Sequence, residues 1–102
     1  MYVLVRRDLS HPQQVVQACH ASLEAARTFL PVSGEHPFVI VCGVRDEPRL
    51  FRCLDRLEAA GVRYRAFYEP DLEGQLTALA TEPIYGSKRK VFQDYQLLTV
   101  RS

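Results

Sequence analysis

A mixed α/β fold, drawn as a three-layer α/β/α sandwich on a small sheet of about four strands, is what this sequence predicts. Three observations carry it. Strand-like and helical periods alternate along the chain, two helices bring their own capping residues, and 38–44 is one uninterrupted β-branched and apolar run. At 102 residues, 47% hydrophobic and 25% charged, the chain can bury one core, so a single domain over 1–102 is expected.

Tyr2 to Arg6 reads as the first strand. Asp8-Leu9-Ser10 leaves it and caps a helix: Ser10 followed by Gln13 fits a capping box, and Pro12 falls in the first turn, where its missing N–H costs nothing. The helix runs from near His11 to about Leu30. At about 100° per residue, Gln13, Gln17, His20 and Glu24 share one polar edge. Val15, Val16, Cys19, Leu23 and Ala26 form the adjacent apolar face, expected to meet the core. Pro31 to Pro37 is a loop broken by two prolines and a glycine, and Phe38 to Val44 reads as a central strand covered on both faces. Asp46 caps a second helix from Glu47 to Ala60, with Gly61 as its left-handed stop and Leu50, Phe51, Leu54 and Leu57 as its buried stripe.

Val62 to Tyr68 reads as a third strand, 69–74 as an acidic turn and Gln75 to Thr81 as a fourth strand. A link this short makes the last two an antiparallel hairpin, while the two crossover helices impose parallel, right-handed units before it. Ser87 is expected to cap a final short helix through Tyr95, leaving Gln96 to Val100 extended, with a last edge strand as an option.

Composition excludes several classes. No apolar run of about 18 residues occurs, and Met1 to Val5 meets Arg6-Arg7-Asp8 too soon for a signal peptide, so a cytoplasmic protein is expected. Cys19, Cys42 and Cys53 have no C-x-x-C spacing and sit in apolar stretches, as buried reduced thiols do. Net charge is only +1, yet arginine supplies 11 of the 13 cations, and planar guanidinium is the better phosphate and base-stacking group. No P-loop, G-x-G-x-x-G, H-E-x-x-H or G-x-S-x-G occurs.

Three constellations have chemistry in them. His20 with Gln17 and Gln13 joins an imidazole able to take a proton to amides that can orient water, although a helix-edge histidine bonded to a carbonyl is the commoner case. Glu69, Asp71 and Glu73, with Thr77 beyond, place carboxylates where α/β sheets form ligand crevices, but lack the glycine and closing glutamate of a calcium loop; a solvated turn looks the same. Arg45, Arg49, Arg52 and Arg56, at intervals of 4, 3 and 4, share one face of the second helix and could follow phosphates, aided by Lys88-Arg89-Lys90. Asp46, Asp55 and Glu58 interrupt that field, and pairing one turn apart would consume it.

Val3-Leu4-Val5-Arg6-Arg7-Asp8-Leu9, with Gln17 three residues ahead of His20-Ala21, resembles the opening of the type II peptidyl-tRNA hydrolases, which read V-x-R-x-D-L and then G-K-x-A-A-Q-x-x-H-A. The resemblance continues in order. Ala59-Ala60-Gly61 followed by Tyr64 is similar to the family's helix end before its third strand, and 76–83 is similar to its T-V-L-A-x-G-P strand. Aligned this way, Gln13 stands where the family has a functional lysine. The D-A-G-R-T-Q segment is replaced by 69–74, leaving Glu69 for the family's aspartate, while Thr77 matches the threonine of the fourth strand.

The resemblance implies an α/β/α sandwich and a cofactor-independent hydrolase that cleaves the ester between a peptide and the tRNA 3′ end. His20 or Glu69 would assist proton transfer, with Gln13 and Asp71 beside them, and Gln17 with Thr77 would orient water or the oxyanion. Arg6, Arg7, Asp8, Arg45, Arg49 and Arg52 would bind the tRNA. Two other functions fit the same residues: a non-catalytic tRNA- or protein-binding domain, or a hydrolase of another small acyl substrate. A homodimer would cover exposed strand edges.

Overall fold

The computed structural model describes residues 1–98. In chain order the elements are β1 (Tyr2–Arg6), α1 (His11–Phe29), β2 (Ile40–Val44), α2 (Glu47–Ala59), β3 (Tyr64–Glu69), β4 (Gln75–Thr81) and β5 (Gln96–Leu97), with 3₁₀ turns at Pro70–Leu72 and Gly86–Phe92. One open five-stranded sheet runs in the order β3-β4-β1-β2-β5. β1 and β2 are parallel, from Tyr2 opposite Ile40 to Arg6 opposite Val44. β4 runs antiparallel to both β1 and β3, and β5 antiparallel to β2. The carboxyl ends of β1, β2 and β3 therefore share one end of the sheet with the amino ends of β4 and β5.

Local chemistry sets the helix boundaries. Ser10 Oγ accepts from the Gln13 amide at 3.3 Å, and Asp46 Oδ1 accepts from the Arg49 amide at 3.1 Å. Beyond α2, Gly61 takes φ +71°, and the Val62 amide bonds back to the Leu57 carbonyl at 2.9 Å, closing the helix as a left-handed cap does. Alternation along β1 then decides which helix lies where. Tyr2 and Leu4 pack with Leu50, Cys53, Leu54 and Leu57 of α2, whereas Val3 and Val5 pack with Ala21 and Ala25 of α1 and with Ala78 and Ala80 of β4. Leu4, Leu50, Leu57, Leu76 and Leu79 lose all contact with water, and each contributes about 1.5–3 kcal/mol of transfer free energy.

Five expectations need correction. The sheet has a fifth strand, because Leu97 and Gln96 pair with Cys42 and Gly43; of the extended piece expected over 96–100, Thr99 and Val100 lie outside the described residues. β2 begins at Ile40, where its ladder with β1 opens opposite Tyr2, and Phe38 and Val39 ahead of it are exposed, the Phe38 carbonyl accepting from the Met1 amino group at 2.7 Å. The segment before β5 is a 3₁₀ turn in which Ser87 caps nothing; it is held by Phe92, whose ring stacks on Tyr2 at 4.0 Å. Phe51 is exposed, with Cys53 taking its place in the buried stripe of α2.

The fifth concerns α1. It buries Gln14, Gln17, Ala21 and Ala25, while Val15, Val16, Cys19 and Leu23 face solvent. Alanines let the helix approach the small residues of β1 and β4 closely, and the glutamines enter because each finds bonding partners there. Cys42 and Cys53 are buried thiols as expected, and Cys19 is not. Among the described residues no helix is long and apolar enough to cross a membrane.

Candidate functional site

A bulge in β4 organises the first cluster. Phe67 pairs with Ala78 and Tyr68 with Leu76, so Thr77 is an extra residue without a partner of its own. The extra residue resets the alternation and turns Thr77 toward α1 while Leu76 stays on the α2 face. The Leu76 amide is taken up by Glu47 Oε2 at 2.8 Å, from the first turn of α2.

Thr77 Oγ1 donates to Gln17 Oε1 at 2.7 Å, which fixes the amide so that Gln17 Nε2 donates to Glu69 Oε1 at 3.3 Å and to Gln13 Oε1 at 3.1 Å. Residues from α1, β3 and β4 are thereby joined in one chain of hydrogen bonds. Gln17 and Thr77 are completely buried and Glu69 is 8% exposed, while Gln13 lies at the solvent margin. Glu69, expected in the acidic turn, is the last residue of β3, which is why its side chain is held beneath α1. One carboxylate oxygen takes the Gln17 bond. Among the described residues no fully buried side-chain polar atom lacks a partner, so the other oxygen, which takes no bond there, reaches the surface.

His20, one turn beyond Gln17, is half-buried with its ring stacked on Phe67 at 4.6 Å and 13°. Phe67 was not singled out in the sequence; it stands two residues before Glu69 on the same strand. Asp71 is exposed in the 3₁₀ turn after Glu69 and makes no bond among the described residues.

Arg6 departs from the expected role. It is buried, and four of its five N–H donors are engaged: Nε and Nη2 each donate to Asp8 at 2.9 Å, and Nη1 donates to Gln75 Oε1 at 2.9 Å and to the Leu76 carbonyl at 3.1 Å. These bonds pull the Asp8 carboxyl below its ordinary range, against a smaller opposing push from burial, and they raise Arg6 further above neutrality. The pair ties the exit of β1 to the start of β4 and leaves no guanidinium edge for a phosphate. Gln14 adds to the same turn by donating to the Arg7 and Leu9 carbonyls at 3.3 and 2.8 Å.

The remaining expected ligands gather elsewhere. Arg7, Arg45, Arg49, Arg52 and Arg56 line an open concavity of about 470 Å³ beside α2, β2 and β5. Arg7 Nη1 donates to Gln96 Oε1 at 3.2 Å, Arg49 pairs with Asp46 at 2.8 Å, and Arg56 lies 3.6 Å from Asp94 and over the Tyr95 ring. Asp55 and Glu58 consume none of these arginines; Glu58 instead accepts from the Tyr64 hydroxyl at 2.7 Å. Lys88 donates to the Gly61 carbonyl past the far end of α2, so the basic run 88–90 does not join the row at its Arg45 end. Thus the structure joins Gln13, Gln17, Glu69 and Thr77 by hydrogen bonds, with His20 one helical turn on and stacked on Phe67, and places Arg45, Arg49 and Arg52 toward the α2 face, while Arg7 crosses β2 at Gly43 on the α1 side to reach Gln96.

Comparison with models of known protein families gives no match, and comparison with curated proteins gives none.

Proposed function

We propose that this protein is a cofactor-independent hydrolase of the peptidyl-tRNA hydrolase type, acting in the cytoplasm on the ester that joins a peptidyl or N-blocked aminoacyl group to the tRNA 3′ end. The observation that carries the reading is the single hydrogen-bonded network of Gln13, Gln17, Glu69 and Thr77, in which one helix turn meets two residues more than fifty positions away, led to one place by α1, β3 and a bulge. Bulges of this kind recur beside active sites because they re-aim one side chain. The two helices on opposite faces of the sheet support the three-layer α/β/α reading.

In this reading water attacks the ester carbonyl at the mouth of the network. Its oxygen bonds to carbon, its proton passes to Glu69 or His20, and as the acyl–oxygen bond breaks that proton is returned to the 3′ oxygen. Glu69 has one oxygen held by Gln17 and one open, the arrangement a base needs. His20, half-buried against Phe67, stands at the same margin. Gln17 and Thr77 are positioning residues, since they are fully buried and bond only to Glu69, Gln13, each other and, for Thr77, the Phe67 carbonyl, whereas Gln13 can offer its amide N–H to the developing oxyanion.

Release of tRNA from N-acetyl-aminoacyl-tRNA tests this, with the wild type, Glu69→Gln and His20→Ala compared beside an authentic hydrolase. Turnover by the wild type and a loss of about 10²-fold or more in at least one variant is expected for a proton-transfer group. No turnover at high enzyme concentration refutes hydrolysis, and turnover indifferent to both changes refutes the roles given to Glu69 and His20. A second reading, a non-catalytic tRNA-binding domain, is favoured by one observation: the two residues that would orient water are sealed from it. Salt-dependent tRNA binding without turnover is its signature.

A further inference from the structure

We infer that the arginine-lined concavity is a second ligand site, separate from the Glu69 network, and that it takes a run of adjacent phosphate groups. The lining opposes five guanidinium groups to one carboxylate, Asp94. Arg45 and Arg52 are exposed and have no ion-pair or hydrogen-bond partner among the described residues, and Arg49 spends only part of its fork on Asp46.

Position adds a second argument. The connection after β1 leads to α1 on one face and that after β2 to α2 on the other, so the gap between these neighbouring parallel strands is where the sheet's connections diverge. α/β sheets hold ligands outside the carboxyl ends of the strands at such a point. Arg7 and Arg45, just beyond those two ends, are the residues found there.

Backbone packing is arranged around this site. Gly43 sits on β2 beneath Arg7, and a Cβ there would fall 2.5 Å from Arg7 Cδ and 2.6 Å from Cγ. Glycine is thus what lets the Arg7 side chain lie across the strand and reach Gln96. The ligand class follows from spacing. From Arg49 to Arg56 the helix rises roughly 10 Å, too far for one small anion to bridge. A line of planar forks suits consecutive phosphates, each of which accepts two parallel N–H bonds. Such a run is found in an RNA backbone and in a free polyphosphate chain. The inference stands whether or not the Glu69 network hydrolyses an ester, because the two groups of residues share no member.

The test measures the affinity of the full chain for deacylated tRNA and for tripolyphosphate as a function of salt. The wild type is compared with Arg45→Glu/Arg52→Glu and with Lys88→Glu/Lys90→Glu, which makes the same charge change near the other end of α2. All four positions are exposed, and circular dichroism checks that each variant is folded. Expected is a loss of at least tenfold for the arginine pair, with a log–log salt slope smaller by about 2, and a loss under threefold for the lysine pair. Loss of tRNA alone identifies an RNA backbone as the ligand, loss of tripolyphosphate alone a free polyphosphate, and mutual displacement a site open to both. Equal losses in the two variants, no loss in the arginine pair, or poly-glutamate bound as well as tripolyphosphate would each overturn the assignment. Turnover of N-acetyl-aminoacyl-tRNA, followed on the same samples, reports on the other site.

Discussion

Thr77 shows how much one side chain can govern. Its hydroxyl is the only donor to Gln17 Oε1 among the described residues, both groups are fully buried, and the bond decides which way the Gln17 amide points. Thr77→Val keeps the shape and removes the donor. An orphaned buried acceptor costs about 1–3 kcal/mol, so the midpoint of thermal unfolding should fall by about 5–15 °C, and Glu69 should lose its fixed partner. Thr77→Ser retains the hydroxyl and should restore turnover. Equal activity in the two variants would show that the hydroxyl only fills space. Arg6 makes the opposite point. The sequence marks it as a basic residue at a strand exit, fit for phosphate, yet Gln75 and Leu76, about seventy positions away, complete its bonding. Spacing cannot announce a partner that far along the chain.

Among the elements, those with local punctuation were readable in advance. Ser10, Asp46 and Gly61 act within a turn of their own position, and α1 and α2 start and stop within a residue of where those signals put them. The buried face of α1 was misread because hydrophobic periodicity counts apolar side chains and is blind to a glutamine whose bonds are all made inside. The bulge at Thr77 left no local mark either, being a mismatch between two strands. β2 carries an element-scale prediction. Gly43→Ala forces the Arg7 side chain off the strand, and since the obstructing atoms belong to a flexible side chain, the sheet should survive while phosphate affinity drops severalfold. Tripolyphosphate titration of that variant decides the point; unchanged affinity would remove Arg7 from the site.

At the scale of the whole molecule, strand order separates the two clusters. β3 and β5 are opposite edges of the sheet, with the Glu69 network beneath α1 at β3 and β4 and the arginines beside α2, β2 and β5; Glu47, between Arg45 and Arg49, bonds the Leu76 amide next to Thr77. Side-chain groups that share no bonding partner should act independently. Thr77→Val is expected to lower kcat and Arg45→Glu/Arg52→Glu to raise KM, and in the triple variant the two factors should multiply to within about twofold. A product that misses by tenfold would mean that tRNA bound at the arginines repositions the ester. The resemblance to the type II peptidyl-tRNA hydrolases picked out Gln17 and His20 in the opening segment and Glu69 and Thr77 further on, and hydrogen bonds join Gln17, Glu69 and Thr77; it assigned the arginines to the same substrate without indicating that they lie in a separate cluster. By itself the sequence determined the alternation of strands and helices, their caps, the hairpin and the row of arginines, since each depends on residues within a few positions of one another. Only the tertiary structure decided which face of α1 is buried, that Arg6 is spent on β4, and that the two clusters lie apart. Each of those outcomes is fixed by strand order and by bonds between distant residues, where burial obliges every polar group to find a partner.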